Sequence, residues 1–265
     1  MSKRIASAHV LAALLCAEAL APALARSAPS GNPNAPAITH GVVPALPRLG
    51  RGDLAFLALS AGAVVYSLHS DAWLTEETTE ANSRGEGRLA TWSQPVGNGA
   101  VVIPALVLAY GVARWSDHPD GARSMLRVGA SIGAACGVTL GLKEAVGRWR
   151  PAESRDNAMR FEPFSGHTSF PSGHATLAFA AASAIDCETS SEWVPRVAYP
   201  AATVLAWSRV HDRRHWTSDV VAGAAIGIWT ARKTDHWLRA RDGEARHVSF
   251  EVQPSLDDVR VTVHF

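Results

Sequence analysis

Two histidines, three cationic side chains and a Ser-Gly turn stand in this chain at spacings suited to moving a phosphoryl group. They fall in three segments: Lys143 through Arg150-Pro151, Pro171-Ser172-Gly173-His174, and Ser208-Arg209 through His215 to Asp219. A phosphoryl group in transfer spreads negative charge over its equatorial oxygens, so its site needs fixed positive charge and N–H donors. Lys143 offers a point charge, while Arg150 and Arg209 offer planar forks that can each grip two oxygens. Ser172-Gly173-His174 precedes an Ala-rich run, Ala175 to Ala184, with good helix propensity. The turn is therefore expected at a helix start, where free N–H groups and the helix dipole favour an anion. Gly173 lets the backbone come close, and the Ser172 hydroxyl adds a donor.

Cleaving a phosphate ester without a metal leaves work for two histidines. One attacks phosphorus as a neutral imidazole; the other protonates the departing alkoxide. His215 and Asp219 lie four apart, so a helical stretch would put them on one face. The carboxylate would then hold one ring nitrogen and free the other to attack. That is the orienting logic of a catalytic triad, with histidine itself as nucleophile. His174, beside the phosphate-binding turn, is the expected general acid. No compact set of His, Cys and carboxylate ligands accompanies these residues, so no metal or other cofactor is expected.

Written as patterns, the segments read K-x6-R-P, P-S-G-H and S-R-x5-H-x3-D, complete and in that order. In this the chain resembles the type 2 phosphatidic acid phosphatase family, which shares its site with bacterial class A acid phosphatases and vanadium haloperoxidases. The resemblance extends over about residues 50–235. It implies His215 as nucleophile, Asp219 as its partner and His174 as the acid. Lys143, Arg150, Ser172, Gly173 and Arg209 would form the phosphate pocket. It also implies hydrolysis of phosphate monoesters or diphosphates, lipid phosphates among them, through a phosphohistidine. A vanadate-dependent haloperoxidase is the nearest rival, since vanadate mimics the phosphoryl transition state, but such enzymes resemble larger chains with additional helices. A rival of another class is a non-catalytic envelope protein that keeps the fold, which would not need both His174 and His215.

Taken singly, each piece has an ordinary explanation. Lys143 and Arg150 suit solvated charges closing an apolar helix. Ser172-Gly173 suits a plain helix cap, and a His and an Asp at helical spacing suit a surface pair. Their order inside one apolar framework outweighs these readings. Two decoys lie nearby. Ser165-Gly166-His167 imitates the Ser-Gly-His turn seven residues earlier, but no helix-forming run follows it directly. His211, four before His215, offers metal-ligand spacing without the Glu of an H-E-x-x-H pattern.

At 265 residues the chain fits one ordinary domain with a leader and a tail. A hydrophobic share of 47% and a mean hydropathy of +0.02 lie between a soluble enzyme and a polytopic membrane protein. A net charge of +1 argues against a nucleic-acid-binding face, and basic residues gather instead at 143–155 and 209–214. The expected partner is a phosphorylated substrate held locally, a lipid phosphate included. Residues 1–25 read as a secretory signal: Ser2-Lys3-Arg4, an apolar stretch from Ile5 to Cys16, and Ala23-Leu24-Ala25 as a small-x-small cleavage site. Leu15 before Cys16 is too large for a lipoprotein box, and the spacing of Cys136 and Cys187 demands no disulfide. Residues 26–50, rich in Pro and Ala, read as a linker, 51–240 as the phosphatase-like domain and 241–265 as a tail.

Six apolar segments, near 54–68, 99–114, 126–142, 175–186, 195–208 and 219–231, are separated by polar turns and lack strand alternation. They predict an all-α antiparallel bundle of about six core helices, with the site on loops at one end. Lys143 would end the third helix, His174 open the fourth, Arg209 end the fifth, and His215 to Asp219 begin the sixth. In the tail, Val248, Phe250 and Val252, then Val259, Val261, Val263 and Phe265, alternate with polar residues and predict a short β-hairpin. Fifteen residues of helix reach only about 22 Å, against a hydrocarbon core of about 30 Å. A cleaved leader followed by three spans would also turn Lys143 to the cytoplasm. The mainly acidic 70–98 stretch, with Arg114, Arg123 and Arg127 at the next turn, points instead to a spanning bundle with its site outside. The balance favours a periplasmic or membrane-associated bundle over a six-span inner-membrane protein, and both put the site in the periplasm.

Overall fold

The six apolar segments become six helices in the computed structural model, which describes residues 49–80, 99–154, 157–246, 249–254 and 259–264. They are α1 (Arg51–Glu80), α2 (Gly99–Trp115), α3 (Pro119–Val146), α4 (Gly173–Glu188), α5 (Trp193–His211) and α6 (Thr217–Arg246). In the tail, β1 (Ser249–Pro254) pairs antiparallel with β2 (Val259–His264), Ser249 opposite His264. The leader and nearly all of the linker lie outside the described residues.

Local chemistry sets the helix ends that matter for the site. Pro119 and Asp120 open α3, where a missing N–H costs nothing and an acid suits the dipole. The helix closes at Gly147, whose φ of 57° and ψ of 44° are left-handed and whose N–H donates to the Lys143 carbonyl at 3.0 Å. Glycine is required there, because a Cβ would stand 1.7 Å from the Glu162 carbonyl oxygen. Ser172 caps α4, its hydroxyl accepting from the Ala175 N–H at 3.4 Å. The last helix begins at Thr217, two residues later than the spacing of His215 and Asp219 suggests. Asp219 Oδ2 accepts from the Trp216 N–H at 2.9 Å and closes the first turn from inside, as in a capping box.

The first and last of these helices run antiparallel: Asp53 of α1 meets Lys233 of α6, and Asp71 meets Ser218. Central α6 touches α1, α3, α4 and α5. It runs beside α4 from the same end of the bundle, an approach that Gly223 and Gly227 permit. A Cβ on either would come within 2.6 Å of a carbonyl oxygen, of Ser172 and Thr176 respectively. Phe179, Tyr199, Trp207, Val220 and Ile228 form one core cluster, and Val128, Ile132 and Leu177 another. Each fully buried side chain of this size contributes about 1.5–3 kcal/mol. Cys136 and Cys187 are free thiols.

The outward faces of the first three helices are apolar too. At 30 and 28 residues, α1 and α3 measure about 45 and 42 Å, more than the roughly 30 Å of a hydrocarbon core. The helices continue through polar end residues, so the apolar runs alone understate their reach. Both are long and apolar enough to cross a membrane, yet only 17% and 28% of their apolar windows are buried. Tyr66, Ile103, Val107, Leu108 and Leu140 all stand exposed. Together these side chains make an uncovered apolar belt on α1, α2 and α3.

Candidate active site

At one end of the bundle, Lys143 occupies the last turn of α3 and Arg209 the last turn of α5. His174 and Asp219 sit in the first turns of α4 and α6, Arg150 in the 147–172 connection and His215 in the turn before α6. Backbone bonds tie these pieces together: the Ser172 N–H donates to the Asp219 carbonyl at 2.9 Å, and the His215 N–H to the Arg209 carbonyl at 3.2 Å. Lys143 Nζ donates to the Thr168 carbonyl, while Arg150 Nη2 donates to the Thr168 hydroxyl at 3.4 Å. The Lys143 stem passes Gly173, where a Cβ would lie 3.6 Å from Cε. Arg209 is braced by the Ser208 hydroxyl at 3.0 and 3.1 Å and by Asp212 at 3.2 Å.

The two histidines differ in their surroundings. His215 Nδ1 lies 2.8 Å from the Ser169 carbonyl oxygen and 3.6 Å from the nearer Asp219 oxygen. A carbonyl only accepts, so Nδ1 carries the proton and Nε2 keeps its lone pair. His215 and Asp219 thus stay paired at ion-pair distance, while the Ser169 carbonyl makes the shorter contact to Nδ1 and other donors share the carboxylate. Arg148 Nη1 donates to Oδ1 at 2.6 Å, and the Ser169 hydroxyl donates to Oδ2 at 2.5 Å beside the Trp216 N–H. Burial pushes the His215 imidazole below its ordinary range against the pull of Asp219, so it is neutral at pH 7. Burial tends to raise Asp219, but His215, Arg148 and the Ser169 hydroxyl outweigh it and keep the carboxylate ionised. His174 is half-buried and is pushed down to about 4, first by burial and then by Arg209, His215, Lys143 and Arg150. Each of these four groups is therefore near enough to His174 to disfavour its charged form.

Three residues absent from the sequence reading belong to this cluster. Arg148 lies inside the K-x6-R-P segment, where its position passes for spacer. Ser169 lies three residues before Ser172, and Asp71 comes from α1. The one signal for Asp71 was an acid just beyond an apolar run. The decoys are placed elsewhere: His167 stacks on Trp149 with ring centroids 3.5 Å apart, and no helix follows it directly. His211 is buried against Trp207, and neither ring nitrogen has a hydrogen-bond partner among the described residues.

The described helices thus gather Lys, Arg, Ser-Gly-His and Arg-His-Asp at one end of a bundle, residue types suited to an oxyanion. Residues 124–242 match the model of the PAP2 superfamily. Over 95 residues it is 45% identical to a lipid A 1-phosphatase of Rhizobium johnstonii, a stretch covering 33% of this chain and 37% of that protein. Over 87 residues it is 31% identical to an undecaprenyl-diphosphatase of Sulfolobus acidocaldarius, covering 33% of this chain and 42% of that protein. The chain thus spans about two-fifths of the length of these curated relatives. In fold it is similar to the crystal structure of Aquifex aeolicus LpxE, with a TM-score of 0.50 at 19% identity, covering 62% of this chain and 93% of that one.

Proposed function

We propose that this chain is a phosphatase that removes phosphate from monoesters or diphosphates carried by membrane lipids, through a phosphohistidine on His215 and without a metal. The observation that carries the reading is the Ser169 carbonyl 2.8 Å from Nδ1, which leaves Nε2 as an unprotonated nucleophile. In this reading Nε2 attacks phosphorus and the P–O bond to the leaving group breaks. His174 then gives its proton to the departing alkoxide. Water next attacks the phosphohistidine, losing its proton to His174, and phosphate leaves with His215 neutral again. Lys143, Arg150, Arg209 and the N–H groups at Ser172-Gly173 balance the charge on the equatorial oxygens in both steps.

Two observations support a lipid substrate. The relatives named above act, by their names, on lipid A and on undecaprenyl diphosphate, and the α1–α3 belt suits a hydrocarbon surround. The bundle is accordingly membrane-embedded with its site at one membrane face. Arg114, Arg123 and Arg127 gather at the end opposite the site, so the positive-inside bias turns the site to the periplasm. A translocated N-terminus would place Arg51 outside and reverse this; the loop charges carry the proposal. Labelling Glu153→Cys with an impermeant maleimide tests it, and reaction only after inner-membrane lysis would refute a periplasmic site.

The function is tested with purified protein and a panel of lipid A 1-phosphate, undecaprenyl diphosphate and a soluble aryl phosphate. Phosphate release is read together with acid-quenched phosphoenzyme from labelled substrate. Release from the lipids, with a labelled wild type and an unlabelled His215→Ala, is expected. No turnover on any member, or label retained without His215, refutes the reading.

A further inference from the structure

The groups that face the reacting phosphate do not explain why the chain buries a complete ion-pair network behind them. Arg148 is fully buried and has a partner in every direction. Nε and Nη2 donate to the Ala158 carbonyl at 3.1 and 2.6 Å. Nη1 donates to Asp219 Oδ1 at 2.6 Å and to the Ser218 hydroxyl at 2.7 Å, and Nη2 donates to Asp71 Oδ2 at 2.7 Å. Asp71, on α1 and also fully buried, accepts in addition from the Ser218 N–H at 2.8 Å and from the Ser218 hydroxyl. The guanidinium plane lies over Trp216, its centre 5.3 Å from the ring centroid, and thus covers the turn between His215 and Asp219.

We propose that Arg148 and Asp71 are positioning residues for phosphoryl transfer, holding Asp219 and the His215 turn in register through one buried charge network. The inference rests on the functional reading above and extends it to α1, which lies outside the 124–242 segment. Neither residue is exposed to touch substrate, so both act through Asp219. A planar guanidinium spanning two carboxylates fixes direction as well as charge, which a lysine cannot do. A buried ion pair adds little stability over well-packed apolar residues. What this one does supply is geometry: Asp219 Oδ1 fixed by Arg148 leaves Oδ2 aimed at Trp216 N–H and Ser169, the residue whose carbonyl holds His215.

The test is a double-mutant cycle on the full-length protein, with Arg148→Lys and Asp71→Asn each made alone and in an Asp219→Asn background. Lipid-phosphate turnover, KM and thermal unfolding in detergent are measured for each. Arg148→Lys should lower kcat by about 10- to 100-fold with KM within about threefold, and Asp71→Asn should move in the same direction by less. In the Asp219→Asn background either change should cost less than about threefold, because its effect runs through the missing carboxylate. Losses that multiply across the cycle overturn the inference, as does a rise in KM with kcat intact. Failure of both single variants to fold also overturns it, and assigns the network to scaffolding alone. No turnover by the wild type would overturn the functional reading and this inference together; an active wild type with multiplicative losses would overturn only the latter.

Discussion

With its imidazole pushed down to about 4, His174 is neutral at pH 7, yet its proposed work requires a proton. Burial and the cations Arg209, Lys143 and Arg150, with His215, push it there. Three units below neutrality, the uncharged ring outweighs the imidazolium by about 1000 to one. An oxyanion bound among those cations reverses the local field and draws a proton back onto His174. The sign follows: protonation and anion binding favour each other, so affinity for a dianion rises as pH falls from 7 toward 4. One proton taken up per anion gives about a tenfold tighter Kd for each pH unit. Sulfate is a suitable probe because it stays dianionic across that range and contributes no titration of its own. Calorimetry at pH 5, 6 and 7, in buffers of different ionisation heat, reports both Kd and the protons absorbed. About one proton at pH 6 to 7 is expected for the wild type. The slope should vanish in His174→Asn and persist in His215→Asn. A pH-independent Kd, or a slope that survives in His174→Asn, refutes the reasoning.

Removal of the nucleophile in His215→Ala should abolish turnover, whereas His174→Ala should slow alkyl phosphates far more than aryl phosphates; equal losses across leaving groups would remove the acid role from His174. Gly223→Ala should force α4 away from α6, since its Cβ would meet the Ser172 carbonyl oxygen at 2.6 Å. A loss of about 1–3 kcal/mol by thermal unfolding is expected, and an unchanged Tm would mean that the helices separate freely. Activity should survive EDTA and be inhibited by vanadate, because Lys143, Arg150 and Arg209 supply the charge a divalent ion would bring. Loss in chelator with rescue by one divalent ion would contradict that.

Among the described residues, helix number is legible because each apolar segment is bounded by polar turns, but helix length is not. The run near 219–231 continues as α6 to Arg246 although its apolar character has ended. Its second half is held by charge pairs that no periodicity announces: Arg232 to Asp186, Arg239 to Asp235, and Arg127 of α3 to Asp242. The understated length also weakened the case for a membrane, since α1 and α3 gain their reach from residues outside the apolar runs. Exposure adds weight to the proposed membrane surround where composition alone is balanced. Leu108 at 69% and Leu140 at 64% exposed are side chains that a water-facing bundle would bury or replace.

At the site, the residues legible in the sequence are those whose chemistry fixes their type and whose partners are near in the chain. Lys143, Arg150, Ser172, His174, Arg209 and His215 each declared a role from a short pattern. The geometry between them depends on contacts that no short pattern contains. Four-residue spacing brings His215 and Asp219 to 3.6 Å, but the shorter contact to Nδ1 comes from a carbonyl 46 residues away, and Asp219 also caps Trp216 at the helix start. Arg148 and Asp71 are separated by 77 residues. A buried arginine cannot be recognised as such until the fold brings it two carboxylates. The motif residues can therefore be read as reagents, whereas their alignment is a tertiary property that reaches back to α1. It follows that a fragment limited to the superfamily segment would keep every motif residue and still lack Asp71, the carboxylate that anchors Arg148 from the opposite side.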